Sequence, residues 1–422
     1  MRNALWIALL AALTGCGMFA VKEQQAKIDA LCVLGGRVEA ERAVPAPLIV
    51  VLARQTGADP QKRESWRVAD HFVLEGPGQW QLRVSAGTYG VLAFQDLNRD
   101  LKAQPGEPFL RMEADQVFAC KSGERRTDLA LRIPAGGRSR LNETIDISAL
   151  QARSFGDQFE LSLGQVTALG DVASLSDARF DAAVAEDGLW RPFDFLFKAG
   201  PGIYFLGAYD GSKVPVLFVH GINGTPQNFR TVIDRLDRSR FQPWVYYYPS
   251  GGSLGAVADH LTQTMRTLQL RHGFRSFVVV AHSMGGLVSR GFLLRYREGG
   301  SGAAVPLFVS IATPWDGHKA AEMGTKSPIV VRAWTDMAPG SEYLRSLYAR
   351  DPGVPHHLLF AFRQSGVSLG EANDGTVTVA SQLHAAAQQG AARVEGFNET
   401  HMSVLEAAAV SERLNGLLGQ LK

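Results

Sequence analysis

The chain has 422 residues, length enough for two or three domains. Hydrophobic residues make up 46% and charged residues 20%, which is ordinary for a folded protein. A net charge of +2, with no basic stripe and no interleaving of aromatic and basic residues, gives no electrostatic case for a nucleic-acid partner. The sequence has no internal repeat and no long low-complexity tract. Past the N-terminus, no stretch is long and apolar enough to span a bilayer.

The first residues read as a targeting signal rather than as structure. Arg2 supplies a positive start, Ala4 to Leu13 an apolar stretch, and Leu13-Thr14-Gly15-Cys16 then resembles a bacterial lipobox. That resemblance implies cleavage of residues 1–15 and lipid attachment at Cys16. An ordinary secretory signal with an incidental cysteine is the alternative. Gly17, where an aspartate would imply inner-membrane retention, implies an outer-membrane anchor in the bacterial cell envelope. Several acyl chains would make such anchoring stable. Residues 16–30 are expected to be a lipidated tether, polar after the first few positions and partly helical.

From residue 31 to 148 short apolar runs alternate with turn residues. Cys32-Val33-Leu34 precedes Gly35-Gly36, Leu48 to Ala53 follows, and then His71 to Leu74, Trp80 to Val84 and Thr88 to Phe94. Strands at this spacing predict a small all-β sandwich. Their order resembles the transthyretin-like and carboxypeptidase-regulatory-like sandwiches, which implies an accessory domain. Cys32 and Cys120 remain after the lipobox cysteine. In an oxidising compartment they can pair, closing a loop worth roughly 4 kcal/mol in the chain-entropy model. Two buried free thiols are the alternative. Asp96, Asn98, Asp100 and Glu107 have the spacing of a structural calcium loop, although Leu101 stands where glycine is usual. A polar hairpin built on Asx turns is the favoured reading.

Residues 149–200 read as a connecting segment. Ser154 to Leu163 has strand character, and Arg179 to Phe197, with Trp190, Phe193, Phe195 and Phe197, can pack on the next domain. Residues 201–422 then alternate strand and helix. Strands are expected at Gly202 to Tyr209, Val214 to His220, Phe241 to Tyr248, Phe277 to Ala281, Val305 to Ile311, His357 to Phe362 and Arg393 to Phe397. Helices are expected at Gln227 to Leu236, Leu254 to Leu270, within 317–350, and at Met402 to Leu417. The alternation predicts an α/β domain with a mainly parallel sheet and helices on both faces.

One stretch of this domain carries chemistry. Phe277 to Gly286 reads F-V-V-V-A-H-S-M-G-G: a buried strand, a serine flanked by small residues, then helical apolar spacing. A sharp strand-to-helix turn would hold the Ser283 hydroxyl at the sheet edge, above a helix N-terminus that favours developing negative charge. Alanine at 281, where glycine is usual, is a mild departure. Phe218-Val219-His220-Gly221-Ile222, Ile311-Ala312-Thr313-Pro314, Asn373-Asp374-Gly375-Thr376-Val377 and Thr400-His401 complete an ordered set of five motifs. Together they resemble the α/β-hydrolase superfamily, in its lipase-like and GPI-inositol-deacylase-like branches, over roughly residues 200–420.

The resemblance implies a serine esterase. Ser283 would be the nucleophile and His401 its base, with His384 as the alternative. Asp374 would orient the histidine, with Glu371 and Asp336 as alternatives. The backbone N–H groups of Met284 and Ile222 would form the oxyanion hole. His220 and His282 read as structural. Trp315, Met323 and the 334–344 segment could form an apolar cap. The sequence carries no metal or nucleotide signature, so the expected chemistry is cofactor-free hydrolysis of a carboxylic or lipid ester. An acyltransferase or thioesterase on the same triad, or a non-catalytic binding scaffold, are the alternatives.

Overall fold

The computed structural model describes residues 20–42, 44–60, 62–112, 116–135, 144–147, 162–298, 302–364 and 370–421. The lipobox with Cys16, and all but the end of the strand expected at Ser154 to Leu163, lie outside them. Chain order begins with helix α1, residues 20–29. The sandwich follows: β1 Cys32–Ala40, β2 Leu48–Gln55, β3 Trp66–Leu74, β4 Gly78–Val84, β5 Gly87–Gln95, β6 Lys102–Ala103, β7 Phe109–Leu110, β8 Val117–Cys120 and β9 Arg125–Ile133, with the short β10 Ile145–Asp146. Sheet β4-β1-β9 packs on sheet β3-β2-β5-β7, with β8 against β5. The inward residues alternate along each strand, as in Trp80, Leu82 and Val84, and share one core with Leu34, Val50 and Val91. Cys32 and Cys120 are disulfide-bonded across 88 residues, with Cα atoms 6.1 Å apart.

The calcium-like loop closes on itself. Asp96 Oδ1 accepts from the Asp100 N–H at 3.1 Å, and its Oδ2 from the Leu101 N–H at 3.0 Å. Glu107 accepts from the N–H groups of Leu97 and Gln104 at 2.8 and 3.0 Å. Asn98 donates to Asp100 at 3.0 Å. The carboxylates are taken up by the loop's own donors, and among the described residues no group of metal-ligating side chains converges. Asp96, Asn98, Asp100 and Glu107 thus bond one another and the loop backbone in the manner of an Asx-type hairpin.

The second domain comprises α2 Leu163–Val166, β11 Ala168–Val172, α3 Ala182–Trp190, α4 Pro192–Lys198, β12 Gly202–Phe205, β13 Val214–Val219, α5 Arg230–Asp234, β14 Phe241–Tyr247, α6 Leu254–His272, β15 Val278–His282, α7 Met284–Tyr296, β16 Phe308–Ile311, α8 Lys319–Gly324, α9 Arg332–Met337, α10 Glu342–Leu347, β17 His356–Ala361, α11 Val379–Gln382, α12 Ala385–Gln389, β18 Ala391–Phe397 and α13 Ala408–Gly419. The sheet order is β11-β12-β14-β13-β15-β16-β17-β18. Every neighbouring pair is parallel except β12 with β14. Each face is buried by its own apolar cluster, one around α6 and α7, the other around α5 and α13. The central strands are therefore apolar on both faces, as a parallel sheet between two helical layers requires.

Two boundaries differ from the sequence reading. Strand β11 already belongs to the sheet, and Phe180 and Phe195 fill the core beneath it, so much of the expected connector is part of the second domain. Its A-L-G-D-V sequence hides the strand, because Gly170 adopts φ +87° and the register shifts there. The expected tether is also partly structural. Helix α1 buries Val21 in the main core, and Gln25 donates to Val330 O at 2.7 Å.

The domains meet along β3 and α6. Val73 N–H donates to Gln263 Oε1 at 2.9 Å, and Ser162 Oγ donates to Ala69 O at 2.7 Å. Asp70, buried, accepts from Gly164 N–H at 3.0 Å and from His71 N–H at 2.8 Å. A Cβ at position 164 would stand 2.1 Å from Asp70 Oδ1, so this junction requires glycine. Burial pushes the Asp70 carboxyl up to about 6, against the pull of those backbone donors.

Candidate active site

Strand β15 lies between β13 and β16, and all five of its residues are buried. At its end Ser283 takes φ 54° and ψ −131°, a strained conformation for a residue with a side chain. Small neighbours make the turn possible. A Cβ on Gly285 would lie 2.3 Å from Val219 O, and one on Gly286 would lie 2.0 Å from Thr313 Oγ1. Gly221 is also crowded, since a Cβ there would meet Ser283 Cβ at 2.8 Å. Ala281, where glycine is usual, is a buried residue of the strand itself.

The loops after β17 and β18 bring two more groups to the same edge. His401 Nε2 lies 2.9 Å from Ser283 Oγ, and His401 Nδ1 lies 2.7 Å from Asp374 Oδ2. With the proton on Nδ1 donated to the carboxylate, Nε2 is left to accept the serine proton. All three are buried: Ser283 is 5% exposed, His401 7% and Asp374 0%. Asp374 Oδ1 accepts from the N–H groups of Thr376 and Val377 at 2.9 and 2.7 Å, a turn that Gly375 permits at φ 95°. Its backbone carbonyl accepts from His401 N–H at 2.8 Å. The acid is thus fixed through its own turn, with one oxygen left for the imidazole.

Met284 N–H opens α7, and Ile222 N–H lies in the loop after β13, across Gly221 from Ser283. Neither is engaged by a turn or loop hydrogen bond among the described residues.

Three residues support the triad, and two of them, Gln382 and His318, carry no signal in the sequence. His282 Nε2–H donates to His401 O at 2.8 Å, so the elbow itself holds the histidine loop. Gln382, fully buried at the end of α11, donates to Asp374 Oδ2 at 3.1 Å and to Ala361 O at 3.0 Å, and accepts from Ala361 N–H at 2.9 Å. It ties the acid turn to the end of β17. His318 Nε2–H donates to Thr376 O at 2.7 Å, joining the start of α8 to that turn. Only His282 left a trace in the sequence, by adjacency to Ser283.

Burial lowers His282 to about 3, with the neighbouring His401 adding to the effect, so its ring is neutral at physiological pH. Burial also lowers His220 to about 4. The His220 ring stacks on Tyr248 with centroids 4.2 Å apart and donates from Nδ1 to Gly221 O at 2.8 Å. It shapes the Ile222 loop, as its structural reading requires.

The alternative residues are engaged elsewhere. His384 lies 3.7 Å from Asp316 and stacks near Tyr348, Glu371 pairs with Lys319, and Asp336 accepts from Leu254 N–H at the start of α6 at 2.7 Å. Of the expected cap residues, Trp315 is core, packed by Phe308 and His356. Trp334 packs edge-on against Trp190, and Met323 is 65% exposed.

Comparison with known proteins agrees with this architecture. A family model described as the alpha/beta hydrolase fold matches residues 214–331, which include the elbow. No curated protein matches the chain. Among solved structures, the lin2722 gene product of Listeria innocua is 15% identical with a TM-score of 0.40, over 50% of this chain and 95% of that one. The lipase BlEst2 of Bacillus licheniformis in its mature form is 16% identical with a TM-score of 0.39, over 50% and 94%. The phospholipase PlaB of Legionella pneumophila is 20% identical with a TM-score of 0.34, over 40% and 45%. The sheet order, the elbow after β15 and the helices on both faces define an α/β-hydrolase fold preceded by an all-β domain.

Proposed function

We propose that this protein is a serine hydrolase that cleaves carboxylic esters, with an apolar acyl group, through an acyl-enzyme on Ser283. The observation that carries the reading is the buried chain Ser283 Oγ–His401–Asp374, set on a strained elbow. Ser283 Oγ attacks the ester carbonyl carbon while its proton passes to His401 Nε2. Asp374 keeps the Nδ1 tautomer and stabilises the imidazolium. Met284 and Ile222 N–H receive the negative oxygen, each worth about 3 kcal/mol in the transition state. The C–O bond to the alcohol then breaks, and His401 returns the proton to the departing oxygen. Water repeats the sequence and releases the acid, so no cofactor is needed.

The same proposal places the protein in the bacterial envelope, lipid-anchored through Cys16, with the outer membrane favoured by Gly17. Its partners are then an ester or lipid substrate and the membrane. The sandwich is read as an accessory module.

Hydrolysis of p-nitrophenyl esters over short to long acyl chains tests the reading beside Ser283→Ala. The variant should lose on the order of 10⁶ in kcat, keep its fold and resist a fluorophosphonate probe. Wild-type protein that neither turns over any chain length nor takes the probe would overturn the proposal.

A further inference from the structure

We infer that the face of the catalytic domain built from the segment between β16 and β17 is the one held against a lipid surface, with the sandwich standing away from it. The inference rests on the anchored-hydrolase reading above for the lipid on Cys16, and on geometry for the rest. Chain order alone places the sandwich between anchor and hydrolase domain. Helix α1 does not follow that order. Its Val21 is buried among catalytic-domain residues, and its Gln24 accepts from Asp194 N–H, at α4, at 2.9 Å. Gln25 donates to Val330 O, and Asp29 pairs with Arg332 at 2.5 Å; both partners lie between α8 and the start of α9. The last turn then meets the sandwich, where Gly123 N–H donates to Ala30 O at 2.9 Å. The helix covers about 15 Å and is docked along its whole length.

Only residues 17–19 separate the anchoring cysteine from that helix. Even fully extended, the stretch from residue 16 to residue 20 reaches at most about 14 Å. An anchor on so short a leash cannot let the docked end of α1, or the β16–β17 segment against it, move far from the leaflet. The exposed apolar side chains fit the same face. Among the described residues, three of the five large apolar side chains that project into solvent are Met323, Phe362 and Met402. Met323 lies on α8 in this segment, Phe362 follows β17, and Met402 follows His401; each comes after the C-terminal end of one of the adjacent parallel strands β16, β17 and β18, the ends whose loops carry Asp374 and His401. A lipid chain and an apolar rim together give the two signals that stable surface attachment takes. An ester in the same leaflet, an acyl lipid, is the substrate this placement serves.

Energy transfer tests the orientation directly. The full lipidated protein is reconstituted in phosphatidylethanolamine–phosphatidylglycerol vesicles that carry a headgroup-labelled acceptor lipid. A donor dye is placed on Met323→Cys or, in a separate sample, on Arg42→Cys, beyond the end of β1 remote from α1. Cys32 and Cys120 are bonded to each other, so the introduced thiol takes the dye. Transfer from position 323 should exceed that from position 42 several-fold. Equal transfer, or stronger transfer from position 42, overturns the inference, and so does a mass spectrum showing unmodified Cys16. Ester turnover in the same vesicles keeps the two readings apart. An inactive protein with position 323 at the lipid sinks the hydrolase and supports the orientation; an active one with position 42 at the lipid does the reverse.

Discussion

The two domains bury carboxylates in opposite ways. In the sandwich, Asp96 gives one oxygen to Asp100 N–H and the other to Leu101 N–H, so the group is closed within five residues of chain. In the catalytic domain, Asp374 spends only Oδ1 on its own turn and turns Oδ2 toward His401. Both are acidic turns with a nearby asparagine and look alike in sequence. The difference lies in whether one lone pair is left for a distant partner. A carboxylate that completes its bonds locally locks a loop, whereas one that keeps an oxygen in reserve can orient another group.

The largest test of this contrast is Asp374→Asn. The amide keeps the size of the side chain but offers a donor where His401 Nδ1–H needs an acceptor, so the imidazole is left in the wrong tautomer. Turnover should fall about 10⁴-fold with little change in the thermal midpoint. Steady-state kinetics beside a melting curve would show it, and wild-type turnover would mean that Asp374 does not orient His401.

Asp70 supplies the next effect, and a pH-dependent one. Its folded-state value of about 6 lies above the ordinary 3.8, with burial the largest cause. The folded protein therefore holds this proton to higher pH than the unfolded chain. The associated stability is full below about pH 4 and is lost as pH rises through about 6. It amounts to about 3 kcal/mol. Asp70→Asn should flatten that part of the profile, measured as urea midpoints at several pH values. Identical slopes in both proteins would show that the junction does not hold a protonated Asp70.

A smaller effect is expected at Gln382. Gln382→Leu removes the donor at Asp374 Oδ2 and the tie to β17 without touching substrate. A fall of about tenfold in kcat, near 1.4 kcal/mol, with KM held, is expected. A change in KM alone would remove Gln382 from the positioning of the acid.

How far such roles can be read from sequence depends on how locally they are encoded. The strands β13 to β15 are legible because runs such as F-V-V-V-A must be buried on both faces. The elbow is legible because S-M-G-G sets two glycines right after the buried strand, although the contacts that demand them, Val219 O and Thr313 Oγ1, lie on distant segments. Asp374 and His401 were found by order along the chain. Gln382 was not, because nothing in V-A-S-Q announces an amide that bonds Ala361 and Asp374 at once. The docking of helix α1 is hidden for a related reason: the segment reads as a polar, partly helical tether, yet its Gln24 and Gln25 bond Asp194 N–H and Val330 O. Strand β11 was lost because Gly170 and Asp171 break its alternation. The calcium-like loop was legible in position only, since ligand spacing and Asx-turn spacing coincide.

That coincidence makes Asp96 the most discriminating small test. If Asp96 is a loop lock, Asp96→Asn keeps one acceptor for the backbone and loses the other, leaving one N–H short of a partner. The cost should be about 1 kcal/mol of stability. Catalysis should be untouched, because the lock lies in the other domain and both of its side-chain oxygens are bonded within its own hairpin. Added calcium should leave the thermal midpoint of both proteins unchanged. A ligand site would behave differently: calcium would raise the wild-type midpoint by mass action and the substitution would abolish that rise. Melting curves of the two proteins with and without calcium separate the cases. A calcium-dependent midpoint in the wild type alone would restore the metal reading for this loop and would place Asp96 beside Asp374 as a carboxylate with an oxygen in reserve.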